Sequence, residues 1–263
     1  MIKLLAHRRH DITDRAWSLI ENLLPGRPGQ PGGTARNNRE FINAVFWIHR
    51  TGSPWRDLAP DFGCWKNVHR RFIRWRDKNR WEQIFMALLP TSGFGALDLE
   101  WIIADATHCK VHHHAAGARG GNEAMSRTRG GVNTKIHVLA DSFGMPINIE
   151  ITDGTTADCT QLIKLAKPFV HEAENLLGDK AYDTNEIIAF AQANKMSAVI
   201  PSKSNRKEQR DHDRSLYKLR HMVENAMWTL KQWRGIATRY AKRVSSFRAI
   251  VHARLIHIWL KVL

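Results

Sequence analysis

Along the first ninety residues the apolar positions recur at three- and four-residue steps, the period of helices with one buried face. Thr13 can cap a helix over Asp14–Leu24 whose inner face holds Trp17, Ile20, Leu23 and Leu24. Pro25–Gly33 (PGRPGQPGG) is a loop by composition. Asn37 or Asn38 opens a second helix through Phe41, Val45, Ile48 and His49, and Gly52 ends it. Ser53-Pro54 starts a short helical turn, which Pro60–Gly63 breaks. Trp65–Asp77 (WKNVHRRFIRWRD) then sets Lys66, Arg70, Arg71, Arg74 and Arg76 around an inner stripe of Val68, Phe72 and Trp75, and Trp81–Leu89 closes the block. Pro90–Leu97 (PTSGFGAL) is the expected boundary.

Beyond it the pattern changes to strands. Leu99–Ala104 (LEWIIA) is a short apolar run that enters Asp105. After a polar, Gly-rich interval, Val132–Ala140 (VNTKIHVLA) alternates as a strand does, Asp141–Met145 turns it, and Pro146–Thr152 returns as its partner. Thr156–Ala173 reads as a helix with Asp158 in its first turn. Asn175–Gly178 is a strand entering Asp179, Thr184–Lys195 a helix capped by Thr184, and Ser197–Pro201 a strand, followed by a charged loop over Ser202–Arg214. Leu216–Gly235 is expected to be one helix, with Leu216, Leu219, Val223, Met227 and Leu230 on its apolar stripe. Thr238–Tyr240, a basic turn and a last helix, Ser246–Leu260, end the chain. Strand, hairpin partners, helix, strand, helix, strand, helix is the order of an RNase H-like α/β fold, a mixed sheet covered by helices. The expected division is therefore a helical domain over 1–93 and an RNase H-like domain with a basic helical C-terminus over 94–263.

Length and a hydrophobic fraction of 43% fit a globular protein with a real core. No run of about 18 apolar residues predicts a membrane span, and MIKLLAHRRH is too short and too charged for a signal peptide. Cys64, Cys109 and Cys159 have no metal-binding spacing, so a reduced, cytosolic setting is expected, with these thiols as buried apolar fillers. Charge changes the picture most. The formal net charge is +15, and no Asp or Glu follows Glu224. A polyanionic partner is the default inference, nucleic acid first and a membrane surface second. The short helix, Gly turn and basic helix ahead of Asp77 suggest a helix-turn-helix reader of DNA, with Arg70, Arg71 and Arg74 as contacts; a helical packing or dimerisation domain with a basic surface fits as well.

Two carboxylates, Asp105 and Asp179, each follow a short apolar strand, and Glu224 sits on the helix that would cover the sheet. Tyr217, Arg220, Glu224 and Lys231 fall within an arc of about 60° of that helix. Taken singly, each Asp is a cap for the next turn and the edge is a solvated face with an Arg–Glu pair. Taken together, three convergent carboxylates repel one another unless protonated or metal-bound, and Mg²⁺ is the hard cation that oxygen ligands suit. Two such ions about 4 Å apart can serve phosphodiester displacement.

These residues resemble the DDE transposases of bacterial insertion sequences, specifically the insertion-sequence-five group, over nearly the whole chain. DITDRAWSLIENLLPGRPGQPGG and GSPWRDLAPDFGCWKNVHRRFIRW are similar to that group's N-terminal domain. IIADATHCKVHHHAAGARGG and SRTRGGVNTKIHVLADSFGMP resemble its first-acid segment, and LLGDKAYD its second-acid motif, with Ala181 where Gly is usual. The third motif is complete: Tyr217, Arg220, Glu224 and Lys231 at its spacing, then RGIATRY. The resemblance implies a catalytic triad of Asp105, Asp179 and Glu224 binding two Mg²⁺ or Mn²⁺, with Tyr217, Arg220 and Lys231 on DNA at the transposon end. It implies hydrolysis at the element's 3′ end and attack of that 3′-OH on target DNA. The partners are then terminal inverted repeats and target DNA, on which the protein acts as a homodimer or higher oligomer in the bacterial cytoplasm, associated with the nucleoid. A nuclease or resolvase of the same fold that does not join strands, and a non-catalytic DNA-binding derivative, remain the competing readings.

His108, His112, His113 and His114 suggest a zinc site, but the run lacks Cys partners and helical spacing, so a DNA-facing loop is expected. Asp141 and Asp183 are read as turn residues, Asp153 as a loop residue, and Asp158 as an acid of a helix's first turn.

Overall fold

The computed structural model describes residues 6–29, 33–91, 98–119, 121 and 123–262. It divides into two compact units, one of Met1–Ala96, His112–Gly117 and Leu230–Leu263, the other of Leu97–Val111 and Ala118–Thr229.

The first unit is helical. Thr13 accepts the Ala16 N–H at 3.2 Å and starts α1 (Asp14–Ile20), which tightens into a 3₁₀ turn through Leu23. Asn37 caps α2 (Asn38–Thr51) through the Glu40 N–H, and Gly52 ends it in the left-handed region. Two 3₁₀ turns lead to α3 (Trp65–Asp77) and α4 (Arg80–Thr91). Phe41, Trp75 and Trp81 pack edge-on and tilted, with Phe41–Trp75 centroids 4.9 Å apart. The last helices of the chain, α9 (Arg234–Ala237) and α10 (Val244–Val262), belong to this same unit. Phe46 of α2 lies 5.4 Å from Trp233 and 5.0 Å from His257, and α10 is buried on nearly every face. A Cβ at Gly235 would stand 3.0 Å from the His49 carbonyl, so a side chain there would require the His49 backbone to shift by a few tenths of an ångström. The helical unit is built from both ends of the chain and not from residues 1–93 alone, because α10 is too apolar all round to end in solvent. Residues 92–97, most of the expected boundary, lie outside the described residues.

The segment expected as a helix-turn-helix has longer spacing between its helices. Ahead of Gly63 stand two 3₁₀ turns, Trp55–Asp57 and Pro60–Phe62, and residues 52–64 separate α2 from α3 where that motif needs a turn of three or four residues. The two prolines, Pro54 and Pro60, and Gly63 prevent a continuous helix there.

The second unit holds the sheet. Its strands are β1 (Trp101–Val111), β2 (Ser126–Thr128), β3 (Gly131–Ala140), β4 (Pro146–Asp153), β5 (Asn175–Leu177) and β6 (Ser197–Val199). They run in the order β2–β3–β1–β5–β6, with β4 also paired to β3. β1–β3 and β3–β4 are antiparallel, β1–β5 and β5–β6 parallel. This is the RNase H-like mixed sheet. Ile102, Ile103, Val138, Leu139, Leu176 and Leu177 form its fully buried centre. Helices α5 (Cys159–Ala166) and α6 (Asn185–Ala193) connect its strands, α6 being capped by Thr184 as expected. The expected helix over Thr156–Ala173 is shorter, because Pro168 turns its end into a 3₁₀ segment.

The helix expected over Leu216–Gly235 is broken. It comprises α7 (Arg214–Tyr217), a 3₁₀ turn over Lys218–Arg220, and α8 (His221–Lys231) before α9. Val223, Ala226, Met227 and Leu230 still form the buried stripe of α8. Of the cysteines, Cys109 is buried but Cys64 is exposed, against expectation.

Candidate active site

Asp105 does not end its strand. β1 continues to Val111, and Asp105 pairs with Val138 of β3 on one side. On its other side β5 has stopped. The parallel register aligns Ile103 with Leu177, and Asp105 and Asp179 each stand two residues further on, at one level of the sheet. Termination of β5, not of β1, is what opens the site. The reason lies in sequence: Gly178 leaves the strand with no side chain, and a Cβ there would meet the Tyr182 ring at 3.0 Å. Asp179 then caps the 3₁₀ turn Lys180–Tyr182 by accepting the Ala181 N–H at 2.8 Å.

Glu224 approaches from α8. Gly144, in the β3–β4 turn at φ +74°, lies so close that a Cβ would stand 2.8 Å from the Met222 carbonyl oxygen. That contact fixes the first turn of α8, two residues before Glu224. Arg220 closes the arrangement: one guanidinium nitrogen donates to Asp105 Oδ2 at 3.0 Å and the other to Glu224 Oε1 at 3.1 Å. The structure therefore brings Asp105, Glu224 and Arg220 into direct contact. Tyr217, with its ring 5.4 Å from His212, lies one turn before Arg220. Lys231 is on the same helix as Glu224, seven residues later.

The electrostatics show a surplus of negative charge. Burial pushes the Asp105 carboxyl above its ordinary value, against the Ala106 N–H and Arg220, and the charges of Asp179 and Asp158 raise it further. Partial burial opposes the charged form of Arg220, yet Asp105, Tyr217, Glu224 and Asp179 hold it above its ordinary value. Tyr182, buried beside Asp158, Asp105 and Asp179, is held protonated by burial first and by those charges second. Oxygen donors with more negative than positive charge suit a hard divalent cation; among the described residues, however, only His112, His113 and His114 are gathered as a trio of candidate metal ligands, and Asp105, Asp179 and Glu224 are not brought that close. Asp105, Asp179 and Glu224 could hold one, since Asp179 uses a single oxygen on its cap and Glu224 is largely exposed.

Two further acids stand near the site, Asp158, the reserve candidate among the remaining acids of the sequence, and Asp183, which reads there only as a turn residue. Asp158 is an ion-pair partner rather than a helix-capping acid: its Oδ1 receives Lys135 Nζ at 2.9 Å and lies 3.5 Å from His137 Nδ1. The signal was present in VNTKIHVLA, where Lys135 and His137 share one face of an alternating strand. Asp183 is not a plain turn residue either. Its side chain is fully buried and receives the Lys203 N–H at 2.8 Å, Arg206 at 2.6 Å and Arg210. This clamp holds the loop after β6 against the turn that carries Asp179.

In the helical unit, Arg70 and Arg74 are exposed, whereas Arg71 donates to Asn38 and packs over the Phe41 ring at 4.2 Å. Burial lowers Arg71 to about 10, with Arg74 adding to the effect. Arg71 is thus occupied in packing. Arg74 and Arg71 line a cavity of about 510 Å³ that also includes Arg36, Lys78 and Arg80. The His expectation divides. His108 lies in β1 and bonds Asn133 at 3.0 Å, while His112 caps the 3₁₀ turn His113–Ala115, and one ring nitrogen each of His112, His113 and His114 lies within 4.8 Å of the others. No helix among the described residues is long and apolar enough to cross a membrane.

Residues 97–259 match the family described as "Transposase DDE domain", and residues 12–85 match "Putative transposase of IS4/5 family". The chain belongs to the DDE transposase family. Among curated relatives, the DDE transposase chain is 34% identical over 131 residues to a putative transposase for insertion sequence element IS6501 of Brucella ovis, spanning 49% of this chain and all of that one. It is 35% identical over 108 residues to the uncharacterized protein y4sN of Sinorhizobium fredii, 41% of this chain and 82% of that one. Among solved structures it is similar, at 13% identity and TM-score 0.49, to the piggyBac transposase in a synaptic complex with hairpin DNA, covering 97% of this chain and 74% of that one. The function of this transposase is that of an insertion-sequence element, and its family generally uses divalent metal ions.

Proposed function

We propose that Asp105, Asp179 and Glu224 are the catalytic acids of this transposase and bind two Mg²⁺ or Mn²⁺ ions. When bound, the ions supply charge neutralisation for phosphodiester displacement. The observation that supports this most is the common level of Asp105 and Asp179 past the paired Ile103 and Leu177, together with the Arg220 bridge from Asp105 to Glu224. Arg220 bonds two of the three carboxylates, and its guanidinium also suits a DNA phosphate as a bidentate fork. Tyr217 can stack on a base or bond a phosphate, and Lys231 can meet the backbone as a point charge. Exposed Arg70 and Arg74 extend the basic surface, consistent with the net charge of +15.

The reaction is hydrolysis of DNA at the terminal inverted repeats of the element, followed by attack of the freed 3′-OH on target DNA. A homodimer or higher oligomer brings two ends together, acting in the bacterial cytoplasm at the nucleoid. The test uses purified protein, Mg²⁺, a labelled duplex ending in the element's terminal repeat, and a target plasmid. Cleavage and joining are expected with the native chain; Glu224→Gln is expected to lose both while binding DNA as before. Retained cleavage by Glu224→Gln overturns the assignment. Cleavage without joining supports a nuclease or resolvase instead, and DNA binding that neither metal nor the carboxylate substitutions affect supports a non-catalytic derivative.

A further inference from the structure

The helical unit contains a second cavity, of about 670 Å³, separate from the carboxylates. Its walls are aromatic: Trp55 lies 4.9 Å from His69 and 5.4 Å from Phe72, and His112 lies 4.7 Å from Tyr240 at a tilt of 36°. Its cations are Arg76, Lys242 and Arg243, and none of the described residues lining it is acidic. Arg76 donates to Ser246 Oγ at 2.8 Å, tying the end of α3 to the start of α10. Lys242 and Arg243 immediately precede that start, and the first turn of α10 carries no acid.

His49 adds an independent observation. It lines the cavity, is 6% exposed, and its Nε2 is buried without a hydrogen-bond partner. The imidazole packs edge-on against Trp55 at 5.4 Å. Burial first, and His69 second, push it down to about 3, so it is neutral and offers its ring nitrogens as one donor and one acceptor. An unsatisfied polar atom behind an aromatic wall favours a ligand that is flat, apolar on its faces and polar at its edge.

We propose that this cavity receives one unpaired nucleotide of a DNA strand. The base stacks among Trp55, His69 and Tyr240, and its phosphate lies at Lys242, Arg243 and the N-terminal turn of α10. Stacking supplies the apolar contact, while helix N-H groups and flanking cations suit the phosphate. The inference rests on DNA being the partner of this transposase. It adds a place where the helical unit distinguishes distorted or unpaired DNA from a continuous duplex.

The experiment compares two duplexes of one sequence, fully paired or with a single unpaired 2-aminopurine, binding the full chain in EDTA so that metal chemistry plays no part. The bulged duplex is expected to bind about tenfold more tightly, from stacking of one base, with quenching of 2-aminopurine fluorescence. Tyr240 is 44% exposed, so Tyr240→Ala is expected to keep the fold, which circular dichroism of the variant checks. The substitution is expected to remove most of the preference and of the quenching, and Tyr240→Phe is expected to retain both. Equal binding of the two duplexes by the native chain, or a preference that Tyr240→Ala does not reduce, overturns the inference alone. Binding of neither duplex overturns it together with the functional proposal. Displacement of the bulged duplex by free dAMP at matching concentration overturns it in favour of a free-nucleotide site.

Discussion

Asp183 offers the sharpest test of how the second unit holds Asp179 in place. Its carboxylate is fully buried, yet it receives two guanidinium groups and a backbone N–H. Burial alone would raise its titration; the hydrogen bonds of Arg206, Lys203 and Arg210 instead hold it at about 2, below its ordinary 3.8. A carboxyl displaced from 3.8 to about 2 contributes about 2.5 kcal/mol at neutral pH. Breaking a buried ion pair from one side costs about 3–5 kcal/mol when the remaining charge is stranded. Here Arg206 and Arg210 are 22% and 30% exposed and would rehydrate, so the lower figure governs. Asp183→Asn is therefore expected to destabilise the chain by about 2.5 kcal/mol at pH 7, equivalent to a drop of about 5–10 °C in Tm.

The sign with pH follows from the depressed value. The stabilisation is complete above 3.8 and is lost as pH falls through about 2. It should have decreased to about half by pH 3. Urea unfolding of the native chain and of Asp183→Asn, followed by circular dichroism at pH 7 and pH 3, measures both numbers. The loop over residues 202–210 should also exchange its amides faster in the variant, and cleavage should weaken as the turn carrying Asp179 loosens. An Asn variant as stable as the native chain at pH 7 would refute the reasoning. So would a stability difference that does not narrow at pH 3.

Further outcomes follow from the same structure. Asp105 titrates above its ordinary value because it is buried and faces other acids, so in EDTA its ionised form opposes folding once pH rises past that value. Asp105→Asn should leave the metal-free protein at least as stable as the native chain at pH 8, while abolishing metal-dependent cleavage; a lower melting temperature would contradict the electrostatic argument. Gly144→Ala places a Cβ against the Met222 carbonyl at a left-handed φ, and should cost about 2 kcal/mol in urea unfolding. A change below about 0.5 kcal/mol would show that this turn does not position α8.

Local chemistry in the sequence determined several features of this transposase. Thr13, Asn37 and Thr184 cap the helices expected of them, and Gly52 ends α2, because a side-chain acceptor or a left-handed residue acts within one turn. The alternation of VNTKIHVLA and its turn determined the β3–β4 hairpin, and the order of elements the RNase H-like sheet. The spacing of Tyr217, Arg220 and Glu224 survives although the helix expected there is broken into turns, since α-helix and 3₁₀ turn keep these neighbours close enough for Arg220 to bond Glu224.

Only the tertiary structure decided the rest. Whether Asp105 ends a strand depends on where β5, some seventy residues later, runs out, and no local pattern contains that register. Asp183 reads as a turn residue until Arg206 and Arg210 fold back on it. The last helix, α10, joins the helices of the N-terminal unit because a helix apolar on every face must be covered, and the sequence does not state by what. Capping and alternation are short-range and can be read along the chain. Ion pairs, strand register and helix partners are set by which distant segment supplies the missing charge, hydrogen bond or apolar face, and that is a property of the folded molecule alone.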